Sequence, residues 1–142
     1  MQDGPPRDLR ARVVALVHEV QAKPYAWPGE PAADAVRQAG TGTCASKHAL
    51  LAEELAALGV SSSPLLVVGS LVPPVLTTED DCRDGLSLRE VHECLTVQTP
   101  WAGPLLVDVT WDPALAAHGL ASTRPWDGES DMRLAVDPQG AG

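Results

Sequence analysis

The sequence predicts an α+β domain with helices packed against an antiparallel sheet. Three observations lead there. Up to Gly59, apolar residues recur at helical spacing; beyond it, apolar or alternating runs are short and bounded by Ser, Gly and Pro. Two of those runs, "LREVHECLTVQT" and "GPLLVDVTWDP", are separated by a few turn residues, as in a hairpin. Helical segments that precede a group of strands favour α+β over alternating α/β.

The first helix is expected in "DLRARVVALVHEVQ", where Leu9, Val13, Leu16, Val17 and Val20 fall on one face. Asp8 is placed to cap it and Pro24 to end it. A turn-rich stretch, "KPYAWPGEPAA", leads to a short helix in "AADAVRQAG" that Gly40 closes. The strongest helical pattern follows Cys44: Leu51, Leu55 and Leu58 form an i, i+4, i+7 stripe, Leu50 lies alongside, and Gly59 stops it. "SSSPLLVVGSLV" reads as a buried strand, and "PPVLTTEDDCRDGLS" as a polar, acidic loop. The hairpin strands come next, with Leu105, Val107, Val109 and Trp111 alternating against Leu106, Asp108 and Thr110. Near the end, "MRLAVDP" has the makings of a short edge strand. There are no repeats and no linker, so residues 1–142 read as one domain, with 1–7 a flexible lead and 136–142 a flexible tail.

Composition narrows the partners. With 10 basic and 19 acidic residues the net charge is -9, which argues against nucleic acid or an anionic membrane. No apolar run approaches a membrane span, and "MQDGPPRDLR" lacks the apolar centre of a signal peptide. Three cysteines without staple-like spacing suit a reducing compartment, so a cytoplasmic location is expected. Four Trp, one Tyr and no Phe leave the core to Leu, Val and Ala.

The placement of Cys44 bears on function. In "GTGTCASKHALLAEELAALG" a cysteine follows a Gly/Thr turn and opens a helix. A thiolate in such a place faces unpaired N–H groups and the positive end of the macrodipole, and the thiolate is the form that attacks carbonyl carbon. The alternative is a small buried hydrophobe, since free cysteine is among the most buried residue types. Nucleophilic cysteine chemistry also needs a histidine to hold the proton and an acceptor to orient it. His92 and Asp108 stand on the two hairpin strands, and a carboxylate within an apolar strand is costly unless paired.

The ordered set of "GTCASKHALLAEELAALG", His92 and "LVDVTWDP" resembles the transglutaminase-like superfamily, which is related to papain-like cysteine proteases. The likeness covers roughly residues 24–113. It implies a transglutaminase-like core whose nucleophile sits at the start of a helix packed on an antiparallel sheet, with His and Asp on adjacent strands. Carried over, Cys44 is the nucleophile, His92 the base and Asp108 the residue that orients it. The implied chemistry is acyl transfer or amide and peptide hydrolysis through a thioester, on a peptide, protein or small amide, with no cofactor. This chain departs from the usual pattern in having Ala45 beside the cysteine, "ECLTV" after the histidine, and a shorter length. A second reading is therefore a binding module that keeps the fold without turnover, holding a peptide or protein in the cleft or on exposed Trp residues.

Several other residues belong to the site reading. A tetrahedral intermediate needs an oxyanion hole; the Cys44 N–H supplies one donor, and Trp27 and Gln38 are candidates for the second. His48, one helical turn beyond Cys44, either reaches the cleft or braces a neighbouring loop. Lys47 reads as solvent-facing or paired with an acid, and Asp112 as a turn residue that rivals Asp108 only weakly. Cys94 shares a strand face with His92 and reads as core near the site. Cys44, His92, Cys94 and Asp108 are all zinc-ligand types, but CxxC and HExxH spacings are absent, so no metal is expected. Cys82 lies in the acidic loop and suggests no mechanism. Trp111 reads as a core anchor, Trp101 and Trp126 as exposed.

Overall fold

The computed structural model describes residues 7–26, 30–71, 89–120 and 122–138. Four helices and four strands follow in chain order: α1 (Arg7–Gln21), α2 (Ala33–Ala39), α3 (Cys44–Ala57), β1 (Ser62–Leu71), β2 (Arg89–Thr99), β3 (Gly103–Val107), α4 (Pro113–Ala116) and β4 (Val136–Pro138). The strands form one antiparallel sheet in the order β3-β2-β1-β4. This is the expected α+β class. None of the described helices is long and apolar enough to cross a membrane.

The helices form where their apolar faces predict. Val13, Val17 and Val20 of α1 are buried against Leu50, Leu51 and Leu55 of α3, with Leu9, Leu16 and Leu58 packed at the margin. Full burial of side chains such as Leu51 and Leu55 is worth roughly 1.5–3 kcal/mol each. Asp8 lies within the first turn of α1, where its charge favours the helix dipole but does not cap the end. Gly40 closes α2 at φ 77°, in the left-handed region that glycine enters without strain.

Helix α3 starts sharply because Thr43 and Ser46 form a reciprocal capping box. The Thr43 side chain accepts from the Ser46 N–H (3.2 Å), and Ser46 Oγ accepts from the Thr43 N–H (2.8 Å). Cys44 is consequently the first helical residue. The preceding turn leaves no room for a side chain at Gly42. A Cβ there would lie 2.5 Å from Ser46 Oγ, 2.7 Å from Val36 Cγ2 and 3.2 Å from Lys47 Cγ. Gly42→Ala is expected to cost about 1–3 kcal/mol by overpacking, read from the midpoint of urea unfolding. An unchanged midpoint would mean that the turn yields without cost.

The hairpin from β2 to β3 forms, with Leu95 opposite Val107 and Thr99 opposite Gly103, but β3 ends at Val107 and not beyond Trp111 as expected, because the ladder with β2 stops there. Strand β2 is interior to the sheet and buried on both faces in its middle: Leu95 and Val97 point one way, His92 and Cys94 the other. Strand β1 departs from expectation. It forms over the expected residues but is not a buried strand: Leu66 and Val68 are 64% and 47% exposed, as is Val91 on β2 at 66%. Its apolar run reads like a core strand, yet the core gathers instead on α1, α3, β2 and β3.

Some residues expected in flexible ends belong to regular elements. Arg7 already belongs to α1, and Val136–Pro138 pairs as β4 with residues 69–71 of β1. The ladder satisfies main-chain groups that a free tail would leave to water. The acidic loop, with Cys82, lies outside the described residues.

Candidate functional site

Three stretches distant in sequence meet around His92. From β2, its Nε2 donates to Asp108 Oδ2 at 2.7 Å. Nε2 is engaged with the carboxylate, and the Cys44 side chain lies near enough to the ring to raise its pKa. Cys44 keeps partial exposure, whereas His92 and Asp108 are buried.

Asp108 follows directly on β3, flanked by Val107 and Val109, both fully buried in the main core. That alternation turns the carboxylate to the other face. Oδ2 accepts from His92 and from the Ala135 N–H (2.8 Å); Oδ1 accepts from the N–H (3.0 Å) and hydroxyl (2.6 Å) of Thr110. Burial opposes its ionisation. The hydrogen bond from His92, the charges of His48 and His92, and the Thr110 hydroxyl more than offset this and hold Asp108 well below the usual carboxylate range. Burial likewise lowers the His92 pKa, but the bonds to Asp108 and Cys44 outweigh it and lift it to about 10. The pair favours an imidazolium next to a carboxylate.

His48 is fully buried and braces the site. The Val109 N–H donates to its Nε2 (2.9 Å), so the ring proton sits on Nδ1 and is donated to the Cys44 carbonyl (2.7 Å). Burial pushes its pKa down to about 4, despite the charge of Asp108 and the bond to Cys44. A neutral ring and the observed bonds therefore agree. Lys47, expected at the surface or beside an acid, is instead fully buried and donates to the Gln21 and Thr110 carbonyls.

Asp112 does not compete for His92. Its Oδ1 accepts from the Leu115 N–H (3.0 Å) at the start of α4, and its Oδ2 from the Tyr25 N–H (2.7 Å). Gln38 stands exposed on α2, and among the described residues no hydrogen bond links it to Cys44. Trp27 lies outside the described residues; the chain before it runs beside the turn preceding α3, with the Ala26 N–H donating to Gly42 O (2.9 Å). Cys94 is fully buried, and burial together with the charges of Asp108 and Cys44 pushes its thiol up to about 12. No group of three or more His, Cys, Asp or Glu among the described residues is arranged to hold a metal ion.

Trp111 is an anchor as expected, packed with Leu120 and Ala135 and edge-on to Tyr25 at 4.9 Å. Trp126 contradicts expectation: it is 2% exposed, with its indole N–H donating to the Ser130 carbonyl (2.6 Å). Trp101 is half-buried, its indole N–H donating to the Gly128 carbonyl. A large apolar side chain near a turn is buried here because residues 126–132 fold back on the core.

Sequence reasoning missed Thr110 and Ala135. Thr110 carries a faint signal, a hydroxyl two residues beyond a lone strand carboxylate. Ala135 contributes only a main-chain N–H, which its side chain does not advertise.

Comparison with protein-family models, curated proteins and solved structures gives no significant match for this chain.

Proposed function

We propose that the chain is a cysteine-dependent acyltransferase or amide and peptide hydrolase of transglutaminase-like type, with Cys44 as nucleophile, His92 as base and Asp108 as the residue that orients it. The observation that carries this reading is the 2.7 Å bond from His92 to a fully engaged Asp108, on an imidazole whose pKa is also raised by Cys44, the first residue of a helix. A purely structural carboxylate–histidine pair does not require a partly exposed cysteine beside it at the start of a helix.

The chemistry follows from those positions. Cys44 Sγ attacks the carbonyl carbon of an amide, and the oxyanion that forms is met by the Cys44 N–H, which has no partner within the helix. His92 holds the thiol proton and passes it to the leaving nitrogen as the C–N bond breaks, leaving a thioester. Water or an amine then attacks, gives a proton to His92, and expels the thiol. Asp108 supports the imidazolium throughout. Cytoplasmic location and a peptide, protein or small amide substrate belong to the same proposal. The rival reading as a binding surface built on exposed Trp residues gains nothing from Trp101, Trp111 or Trp126, which are half-buried or buried.

Iodoacetamide labelling resolved by peptide mass spectrometry tests the proposal. Cys44 is expected to react at least tenfold faster than Cys82 and Cys94 at pH 7. His92→Ala is expected to slow it by about 10²–10⁴-fold, the range of general-base assistance. Equal, slow reaction at all three cysteines would remove the nucleophile assignment. An acyl adduct on Cys44 after exposure to p-nitrophenyl esters, absent in Cys44→Ser, would extend the result to acyl transfer.

A further inference from the structure

A buried ammonium is expensive because its hydration is lost. Lys47 is fully buried in the first turn of α3, three residues beyond Cys44. Its Nζ donates to two main-chain carbonyls, those of Gln21 (3.1 Å) and Thr110 (3.0 Å). Burial pushes its pKa down to about 8; the charges of Asp112 and Asp108 act upward against this, and Lys23 adds to the fall. A methionine fills similar space without the cost of desolvating a charge. The ammonium is therefore explained by what it holds.

What it holds is informative. Gln21 is the last residue of α1, so its carbonyl is one of those the helix leaves unpaired. Thr110 is the residue whose N–H and hydroxyl both bind Asp108 Oδ1. One cation thus ties the end of α1 to the peptide that seats Asp108, and does so from the helical turn that carries Cys44. His48, the next residue, takes the Val109 N–H. Consecutive side chains of α3 grip consecutive residues of the segment after β3.

We infer that Lys47 is a positioning residue whose ammonium, by holding the Thr110 carbonyl, sets the Asp108–His92 pair in register with Cys44. The hydrogen-bonded path runs from Nζ to the Thr110 carbonyl, from the Thr110 N–H and hydroxyl to Asp108, and from Asp108 to His92, on whose charge Cys44 acts. The inference rests on the proposed roles of Cys44, His92 and Asp108, but its claim about the Asp108–His92 bond is measurable without any turnover.

The test compares Lys47→Met with the wild-type full chain. Three quantities are read: the melting curve, the Cys44 alkylation rate at pH 7, and the low-field proton NMR signal of the His92–Asp108 hydrogen bond. The variant is expected to melt cooperatively, to alkylate at Cys44 at least tenfold more slowly, and to show that proton broadened by solvent exchange. A folded variant with the wild-type proton signal overturns the inference. If the variant does not fold, a wild-type titration decides. Lys47 Nζ and the His92 proton are followed together from pH 6 to pH 9, with Asp108, Asp112 and Lys23 as the charged neighbours. The His92 signal is expected to move with the Lys47 midpoint, and a signal that stays fixed while Lys47 discharges overturns the inference. Should wild-type Cys44 prove no more reactive than Cys94 while Lys47→Met still disturbs the His92 proton, the proposed chemistry fails and the positioning role stands.

Discussion

Asp108→Asn is expected to slow Cys44 alkylation at neutral pH by roughly 10²-fold and to destabilise the fold by about 1–3 kcal/mol. Both effects come from the same geometry. The carboxylate accepts four hydrogen bonds, all from donors. Asparagine offers a single oxygen and an NH2 that itself donates. With that oxygen toward His92 and Ala135, the amide NH2 faces the Thr110 N–H; the Thr110 hydroxyl can rotate to accept, but the main-chain N–H cannot. With the amide flipped, the NH2 faces Nε2 of His92, which must then give up its proton there and carry it on Nδ1. That tautomer loses the Nε2–H that Asp108 holds in place. Each arrangement leaves a buried donor unmet, and neither keeps the charge that supports an imidazolium. Thr110→Val serves as the control, since it removes one donor and spares the charge. A wild-type alkylation pH profile in folded Asp108→Asn would take Asp108 out of the mechanism.

The second large effect lies on the acid side and belongs to His48. Its ordinary pKa is 6.5 and burial lowers it to about 4 in the fold. Between those values the unfolded chain takes up a proton that the folded chain refuses. The stability that neutral His48 contributes is therefore complete above pH 6.5 and lost as pH falls toward 4, a change of roughly 3 kcal/mol. His92 has the opposite sign: its pKa is raised, so its contribution is present below pH 6.5 and lost as pH rises toward 10. Urea unfolding at pH 7, 5.5 and 4.5 isolates the His48 effect. His48→Gln should flatten most of the slope in that window and leave a remnant from His18, whose pKa burial and the Arg124 charge also lower. If the full slope survives in His48→Gln, the acid lability originates elsewhere.

How far these features could be read from the sequence depends on which kind of group makes each contact. Cys44 at a helix start, His92 on one hairpin strand and Asp108 at the end of the other are side-chain features, legible from the Gly/Thr turn and from the apolar alternation around His92 and Asp108. The apolar stripes of α1 and α3 were legible for the same reason. Lys47 was misread because its partners are carbonyls 26 and 63 residues away, and a carbonyl leaves no mark in the residue that owns it. The Ala135 N–H escaped notice in the same way. Strand β1 was legible as a strand but not as an exposed one: its composition reports β-propensity, while its burial depends on which strands the helices cover. His48 sat between these cases, since its spacing from Cys44 was plain and its second partner, the Val109 N–H, was not.

The Ala135 N–H on Asp108 has a consequence for the order in which the protein is made. Cys44, His92 and Asp108 leave the ribosome in that sequence, yet the carboxylate lacks one of its donors until a residue 27 positions further on has been added. At common rates of translation that interval is roughly 1–5 s. During it the nascent chain carries its cysteine and histidine without a finished acceptor behind them. The proposed site is thereby completed late, after the segment that follows α4 has docked beside β3, where the Met132 N–H donates to the Leu106 carbonyl (2.9 Å). A chain stalled between residues 108 and 135 would hold Asp108 without the Ala135 donor.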